Sequence, residues 1–259
     1  MGIAAGALAM ASALAFPLPS PVCETASGPG RAALLELYTS EGCSSCPPAE
    51  HWLSSIARRE YAADRLIPLA LHVDYWDYIG WKDGYAKPAF AARQREQNAL
   101  ARSATIYTPQ AMLNGRDLRG WYDKAQFAAA VAAINRSPPG ADIRLTLAPP
   151  TPESVEVSVS ARTARQGNGA LYVALYENGL ATEVKGGENA GALLRHDFVV
   201  RAWLGPYPVD GRQPVAWQQK IALDPGWKIA NMGVVSFVQS RATGEVLQAL
   251  ATSLCRRGD

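Results

Sequence analysis

The sequence predicts an α/β domain followed by an all-β domain built as an antiparallel sandwich. Two patterns carry this prediction. Between residues 23 and 137, compact apolar runs alternate with segments whose apolar residues recur at helical spacing. From residue 138 to residue 259, apolar and polar residues alternate with period two over short segments separated by turn residues. The segment Ser137-Pro138-Pro139-Gly140 breaks the first pattern, so we place the domain boundary between residues 137 and 138.

The predicted elements of the first half follow from local signals. Pro88 suits the first turn of a helix, and Asp123 with Gln126 three residues later forms a capping-box pattern before an apolar run. Asn114-Gly115 is a typical hairpin turn after a short apolar strand. Strands are predicted over 32–38, 65–73 and 110–113, and helices over 47–60, 88–102 and 123–135.

The second half contains only strand signals. Ile143, Leu145 and Leu147 share one face of a strand, as Val155, Val157 and Val159 do in the next. Further strands are predicted around 170–176, 193–202, 215–223, 232–239 and 246–251.

The composition indicates an exported globular chain. The 259 residues are 48% hydrophobic with a net charge of +2, and no basic run points to a nucleic-acid partner. Residues 1–15 resemble the apolar core of a secretory signal, and Ala13-Leu14-Ala15 fits a cleavage site. We therefore predict a signal peptide and linker over 1–22, a secreted or periplasmic protein, and no membrane span after signal removal. An N-terminal membrane anchor is the alternative.

Four cysteines in an exported chain predict disulfides, and four cysteines allow three pairings. Proximity favours Cys43 with Cys46, which leaves Cys23 with Cys255. Chain termini often lie close together in a domain, so the second bridge is plausible as a structural staple. In the loop-entropy model it would contribute about 5 kcal/mol.

The Cys-x-x-Cys pair lies where redox chemistry is favoured, after a predicted strand and before a predicted helix. A helix N-terminus favours negative charge, so it lowers the pKa of the first cysteine, Cys43, and makes its thiolate available. Cys46, one turn deeper in the helix, can resolve a mixed disulfide. The dithiol itself carries two electrons, so no organic cofactor is required.

Other uses of the two cysteines remain open. Zinc needs four ligands, and only His51 is close in sequence, so no metal site is predicted. Copper held by Cys43, Cys46 and His51, His72 or His196 is an alternative, and a purely structural disulfide is another.

Pro109, just before a short strand, supports the redox interpretation. In a thioredoxin-type fold a cis-proline at this place faces the Cys-x-x-Cys pair, and the adjoining backbone at Thr108 can pair with an extended peptide. An ordinary trans proline at the start of an edge strand is the alternative.

Three further residues are candidates for the site. Glu36, on the strand that leads to the cysteines, is either a buried carboxylate that takes the proton of Cys46 or a surface glutamate. Tyr75 and Trp76 follow the second strand, at the sheet edge where ligands bind in α/β folds. They form either a substrate rim or simple loop packing.

Several segments resemble a known family. LLELYTSEGCSSCPPAE, LHVDYWDYIGWKDGYAKPAFAARQ, YTPQAMLNG and GGENAGALLRHDFVVRAW are similar to motifs of the uncharacterised secreted thioredoxin-like proteins of bacteria, a family of unknown function. The resemblance covers nearly all of the chain after the predicted signal. It implies a thioredoxin-like half followed by a β-rich half, and it implies no substrate.

Together these features predict an exported thiol–disulfide oxidoreductase. Cys43 would attack, Cys46 would resolve, Pro109 would position the substrate, and the partners would be protein or peptide thiols and disulfides together with a redox partner. A copper-binding protein of the same fold and a non-enzymatic binding module braced by a disulfide are the rival functions.

Overall fold

The structure is a computed structural model that describes residues 23–164, 168–211 and 213–255. The predicted signal peptide and linker, residues 1–22, lie outside the described residues. Within the described part there are three α-helices, α1 (Pro47–Arg59), α2 (Pro88–Leu100) and α3 (Lys124–Arg136). The strands are β1 (Cys23–Ala26), β2 (Ala33–Thr39), β3 (Leu66–His72), β4 (Gln110–Leu113), β5 (Arg116–Asp117), β6 (Ala141–Leu147), β7 (Ser154–Thr163), β8 (Gly169–Glu177), β9 (Leu180–Glu183), β10 (Leu193–His196), β11 (Val199–Val209), β12 (Val215–Ala222), β13 (Met232–Ser240) and β14 (Val246–Ser253).

The local signals of the sequence place the helix starts correctly. Pro47 and Pro88 open α1 and α2 at positions where a helix needs no N–H donor. Asp123 caps α3, since its carboxylate accepts hydrogen bonds from the backbone N–H groups of Ala125 and Gln126.

One large sheet spans both halves of the chain. Eight strands pair in the order β14-β13-β8-β11-β3-β2-β4-β5. Strands β2 and β3 are parallel, and β11 joins β3 at Val199 and Ala70 while pairing antiparallel with β8 along most of its length. The sheet is therefore continuous from the first half of the chain to the second.

The predicted fold class is wrong for this reason. A thioredoxin-like α/β domain followed by an all-β sandwich domain would place a separate sheet in each half. Instead, β-strand is the largest class of secondary structure, at 42%. The described residues contain three α-helices and no clear thioredoxin domain. The physical cause is the open edge of β3, whose backbone groups need partners. Strand β11 supplies them, and the Ala70 N–H donates to the Phe198 carbonyl at 2.9 Å.

A smaller sheet packs on the large one. Its order is β1-β6-β7-β12, and the inward-facing residues predicted from the period-two pattern, including Leu145 and Val157, form a core with residues of β8 and β13. Cys23 in β1 is disulfide-bonded to Cys255, which confirms the predicted pairing and joins the two ends of the described chain. A search of the described residues finds no helix with the length and apolar character needed to span a membrane.

The two faces of β2 are covered by different helices. Leu35 and Leu37 pack with residues of α1 and α3, whereas Leu34 and Tyr38 pack with residues of α2 and the β8–β13 region. Both β2 and β3 end at the same edge of the sheet, at Thr39 and His72. Cys43, Cys46 and Trp76, three of the functional candidates of the sequence, lie near this edge.

Candidate functional site

The Cys-x-x-Cys pair occupies the turn between β2 and α1. Cys43 and Cys46 are bonded to each other, so all four cysteines are in disulfides. The turn is tight, with the Cys43 N–H donating to the Ser40 carbonyl and the Cys46 N–H donating to the Cys43 carbonyl, both at 3.1 Å. Helix α1 starts at the next residue, Pro47.

The position of the pair differs from the prediction in two ways. Cys46 is the N-cap of α1 and does not lie one turn inside the helix. Pro47 and Pro48 then remove two of the N–H groups that a helix N-terminus ordinarily offers to a thiolate. Both cysteines are buried, with exposed fractions of 1% for Cys43 and 0% for Cys46, whereas Ser44 and Ser45 between them are exposed.

A glycine-rich loop packs on the Cys-x-x-Cys turn. We call residues 186–191, between β9 and β10, the covering loop. The Glu188 carboxylate accepts a hydrogen bond of 3.0 Å from the Ser44 N–H. The Asn189 amide donates to the carbonyl oxygens of Glu41 and Cys43, at 2.8 and 3.1 Å. These contacts bring a segment from the second half of the chain onto the Cys-x-x-Cys turn.

The covering loop also rests on the loop that follows β3. A Cβ atom added at Gly186 would lie 2.4 Å from the Gly80 carbonyl oxygen, and one added at Gly187 would lie 3.2 Å from Cβ of Trp81. The glycines therefore allow a backbone approach that larger residues would block. In the sequence, the adjacent glycines Gly186 and Gly187 are the feature that indicates this close backbone approach.

Trp76 borders the same turn and contacts the segment that contains Pro109. The Thr108–Pro109 peptide is cis, as predicted. Trp76 donates its indole N–H to the Thr108 hydroxyl at 2.7 Å, and its Cβ lies 3.0 Å from where a Cβ at Gly42 would be. Thr108, Pro109 and Trp76 are half-buried, so each retains some exposed surface.

Tyr75 and Glu36 are engaged elsewhere. Tyr75 donates its hydroxyl to Gln94 of α2 at 3.1 Å. Glu36 is fully buried and receives two hydrogen bonds from the Arg93 guanidinium, at 3.0 and 3.2 Å. Arg93 belongs to α2, which covers the opposite face of β2 from α1. The structure thus places Glu36 in a buried ion pair and does not bring it together with Cys46.

A buried cluster of ionisable groups lies directly beside the Cys-x-x-Cys turn. It consists of Glu41, Glu50, His72, Asp83 and His196, and all five are buried. Glu41 precedes Cys43 by two residues, and Glu50 follows Cys46 by four on α1. His72 ends β3, Asp83 lies in the following loop, and His196 ends β10. Five separate segments therefore meet at this point.

Hydrogen bonds fix the orientation of most of these groups. Asp83 contacts Nδ1 of His72 at 2.7 Å and also accepts from the N–H groups of Glu41 and Tyr85. Glu50 accepts from the Thr39 hydroxyl at 2.6 Å, and its second oxygen contacts Nδ1 of His196. The carboxylate of Glu41 accepts from the Trp81 indole N–H at 2.8 Å.

The pKa values in the cluster reflect the balance between burial and ion pairing. Burial alone lowers the pKa of His196, but hydrogen bonds with Glu41 and Glu50 outweigh it and raise that pKa to about 10. The pKa of His72 is raised in the same way by Asp83. Burial alone raises the pKa values of Glu50 and Asp83, yet the paired histidines leave both lowered.

Sequence reasoning missed most of this cluster. His72 and His196 were noted singly as copper-ligand candidates, whereas Glu41, Glu50 and Asp83 gave no periodic or spacing signal that joins them. His51, the third histidine, is exposed on α1 and lies outside the cluster.

Comparison with known proteins gives two solved structures of similar fold. A protein of Agrobacterium tumefaciens, AGR_C_4864, is 26% identical with a TM-score of 0.63, over 85% of this chain and 92% of that one. HBP35 of Porphyromonas gingivalis is 15% identical with a TM-score of 0.65, over 88% and 76%. The second likeness concerns the fold alone. No curated protein matches the chain.

The family assignment rests on a family model that matches residues 34–239 and is described as "Protein of unknown function (DUF1223)". The matched range includes the Cys-x-x-Cys turn, Pro109, the covering loop and the whole buried cluster. Since it spans most of the chain, the protein belongs to this family, DUF1223, of unknown function.

Proposed function

We propose that the protein is an exported thiol–disulfide oxidoreductase whose Cys43–Cys46 pair cycles between disulfide and dithiol on protein or peptide substrates. The observation that carries the proposal is the place of this disulfide. It joins residues only three positions apart, with two exposed serines between them, and Trp76 beside Gly42 connects the turn to the half-buried cis-proline segment through Thr108. Breaking it releases no distant part of the fold.

Loop entropy supports a redox role over a stabilising one. In the chain-entropy model a bridge over four residues contributes about 2 kcal/mol, whereas one that closes most of the chain contributes about 5 kcal/mol. The Cys23–Cys255 bridge, with a separation of 232 residues, therefore stabilises the fold more than the short bridge does. The short bridge contributes little to the stability of the fold, so the fold tolerates its reversible reduction.

The proposed exchange conserves atoms and electrons. In the reductive direction the Cys43 thiolate attacks a substrate disulfide, forms a mixed disulfide and releases one substrate thiolate, which takes up a proton. Cys46 loses its proton and attacks the Cys43 sulfur, which releases the second substrate thiolate. The substrate gains two electrons and the protein is left with the Cys43–Cys46 disulfide. The oxidative direction is the reverse.

We infer that movement of the covering loop gives access to the sulfurs. Its side chains make three hydrogen bonds to the Cys-x-x-Cys turn, through Glu188 and Asn189. At about 1 kcal/mol net for each of the two Asn189 bonds, opening costs about 2 kcal/mol, so on the order of a few molecules in a hundred are open. A population of that size is sufficient for exchange on a timescale of seconds or longer.

Once the loop opens, the surface around Thr108, Pro109 and Trp76 borders the sulfurs. A strand-like peptide could pair with backbone next to Pro109 while a side chain packs on the Trp76 ring. Export is proposed with the function, because oxidising compartments maintain disulfides.

The competing function is a binding module in which the short disulfide is a brace. The burial of both sulfurs, at 1% and 0% exposure, favours it. Reduction potential separates the two possibilities. Disulfides of oxidoreductases have potentials between about −270 and −120 mV, whereas structural disulfides lie below about −300 mV.

The test therefore begins with redox equilibration. The protein is equilibrated in glutathione and dithiothreitol buffers, and the state of Cys43 and Cys46 is read by thiol labelling and mass spectrometry. A Cys46→Ala variant is then exposed to an extract of exported proteins, with Cys43→Ala/Cys46→Ala as the control. A potential in the oxidoreductase range and covalent partners through Cys43 support the proposal. A potential below about −300 mV with no trapped partner would overturn it.

A further inference from the structure

The buried cluster contains a ligand atom that lacks a partner. Among the described residues, Nε2 of His72 is buried without a hydrogen-bond partner, whereas Nε2 of His196 and Oε1 of Glu41 lie 3.2 Å apart as an ion pair. Leaving a buried polar atom unpaired costs free energy, and buried polar groups are ordinarily paired. Nε2 of His72 therefore has a free position for a further bonding partner.

The surrounding contacts orient these atoms for ligation. Asp83 holds Nδ1 of His72, so in the neutral ring the lone pair of Nε2 points away from Asp83. A carboxylate that fixes one ring nitrogen while the other binds a metal is the usual outer contact of a metal-bound histidine. His196 instead lies between two carboxylates, with Glu50 on Nδ1 and Oε1 of Glu41 at 3.2 Å from Nε2.

The spacing of the donor atoms suits a single ion. One ligand atom from each of Glu50, His72 and His196 can be chosen so that all lie within 4.8 Å of one another. Ligand atoms at about 2.1 Å from a tetrahedral zinc ion are about 3.4 Å apart. Side-chain shifts on the order of 1 Å would therefore bring the three atoms to bonding distance.

We propose that Glu50, His72 and His196 form a binding site for one divalent first-row transition-metal ion, with Zn²⁺ as the test ion. Two imidazoles and one carboxylate are a donor set that zinc accepts, and the absence of thiolates in this set distinguishes the site from a Cu(I) site. Glu41 lies in reach of His196 and is the candidate for a fourth ligand, and Asp83 orients His72. The inference is independent of the proposed thiol chemistry.

Charge supports a cation at this place. Glu41, Glu50 and Asp83 place three carboxylates in one buried volume, with the two histidines as the neighbouring bases. Buried charges are stable when they are paired or coordinate a metal. A divalent ion would supply the positive charge that histidine protonation supplies in its absence, since the pKa of His196 is raised to about 10.

The experiment uses the mature protein with its disulfides intact, first stripped of metal by a chelator. Zn²⁺ binding is measured by competition with a chromophoric chelator, and Co²⁺ is used as a spectroscopic substitute. We expect one ion per chain and no thiolate-to-cobalt charge-transfer band. His72→Gln and His196→Gln should each weaken Zn²⁺ binding by more than tenfold, and Asp83→Asn by tenfold or more.

His51→Gln is the matched control, since this histidine is exposed and adjoins Glu50 in sequence. Its affinity should stay within twofold of the parent protein. If the buried variants do not fold, the hyperfine-shifted imidazole protons of the Co²⁺-loaded parent protein decide the question, because two histidines must give them. Absence of such signals, an absence of Zn²⁺ binding at micromolar concentration, or loss of binding in His51→Gln would overturn the proposal.

Discussion

Asn189 donates its side-chain amide to the carbonyl oxygen of Cys43 at 3.1 Å, although 146 positions separate the two residues. The same amide donates to the Glu41 carbonyl. One side chain thus connects the covering loop, in the second half of the chain, to the Cys-x-x-Cys turn in the first half. Its removal should make the disulfide easier to reach.

Asn189→Ala should accelerate reduction of the Cys43–Cys46 disulfide by a phosphine reductant. Losing two hydrogen bonds of about 1 kcal/mol each raises the open population of the covering loop and the rate by about ten- to thirtyfold. Reduction is followed by thiol labelling and mass spectrometry. Lys185→Ala is the control, because Lys185 is exposed and bonds only Glu183 among the contacts found in the structure. Equal rates for both variants and the parent protein would show that the loop does not control access.

Gly186→Ala should produce the same acceleration by a different route. The added Cβ would meet the Gly80 carbonyl oxygen at 2.4 Å, so the covering loop cannot dock as it does in the parent protein. Gly226→Ala is the matched control, since its Cβ would meet nothing within 4 Å. The measurement is again the rate of disulfide reduction, with circular dichroism to verify that each variant is folded. Reduction of the disulfide in Gly186→Ala at the rate of the parent protein would contradict this docking of the covering loop.

Acidification should release the covering loop. Hydrogen bonding with the Ser44 side chain, and then with the Ser44 N–H, lowers the pKa of Glu188 below its ordinary value of 4.5. Because the folded-state pKa is depressed, the contact is fully present above pH 4.5 and is lost as the pH falls through the lowered pKa. The disulfide should therefore be reduced faster at pH 3 than at pH 5.5.

Glu188→Gln provides the reference for that measurement, because it removes the titration and keeps the side-chain shape. Dividing the parent rate by the variant rate at each pH cancels the pH dependence of the reductant. We expect this ratio to rise as the pH falls from 5.5 to 3. A flat ratio would remove Glu188 from the control of access.

Glu36→Gln should destabilise the fold without changing the redox properties of Cys43–Cys46. The Glu36–Arg93 pair is buried, and breaking such a pair costs about 3–5 kcal/mol because an uncompensated charge remains. Urea unfolding measures the free energy, and redox titration measures the potential. Asp142→Asn is the control, since its pair with Arg162 is exposed and contributes about 1 kcal/mol or less. A shifted potential in Glu36→Gln would restore Glu36 as a group that acts on the thiols.

Replacing both Cys23 and Cys255 by serine should lower the free energy of unfolding by about 2–5 kcal/mol, because the cross-link no longer restricts the unfolded chain. Urea unfolding under non-reducing conditions measures the change. The rate of reduction of Cys43–Cys46 should stay the same, since the two disulfides lie in different parts of the fold. A loss well under 1 kcal/mol would contradict the role as a staple.

Local elements were predictable from the sequence because their signals are local. The apolar run before Cys43 forms β2, Pro88 opens α2, Asp123 caps α3, and the segment 110–113 is β4. The cis peptide before Pro109 and the Cys23–Cys255 pairing were also predicted correctly. The helix starts depend on a few neighbouring residues and the disulfide pairing on the count and spacing of the cysteines, whereas the cis peptide was favoured from the thioredoxin-type context.

The sheet architecture and the buried cluster were not predictable in this way. No residue pattern specifies that β11 pairs with β3, since pairing partners 100 or more residues apart leave no periodic signal. The cluster likewise depends on five segments that meet only after the sheet has formed. Glu36 was placed at the correct strand, but the sequence does not reveal that Arg93 on α2 neutralises it.

The separation between the two halves of the site has a consequence for biosynthesis. Cys43, Cys46, Glu50 and His72 leave the ribosome more than a hundred residues before Asn189 and His196. A nascent chain that emerges N-terminus first therefore exposes its paired cysteines before the covering loop has been synthesised. Until residues 186–191 exist, none of the hydrogen bonds from Glu188 and Asn189 limits access to this pair.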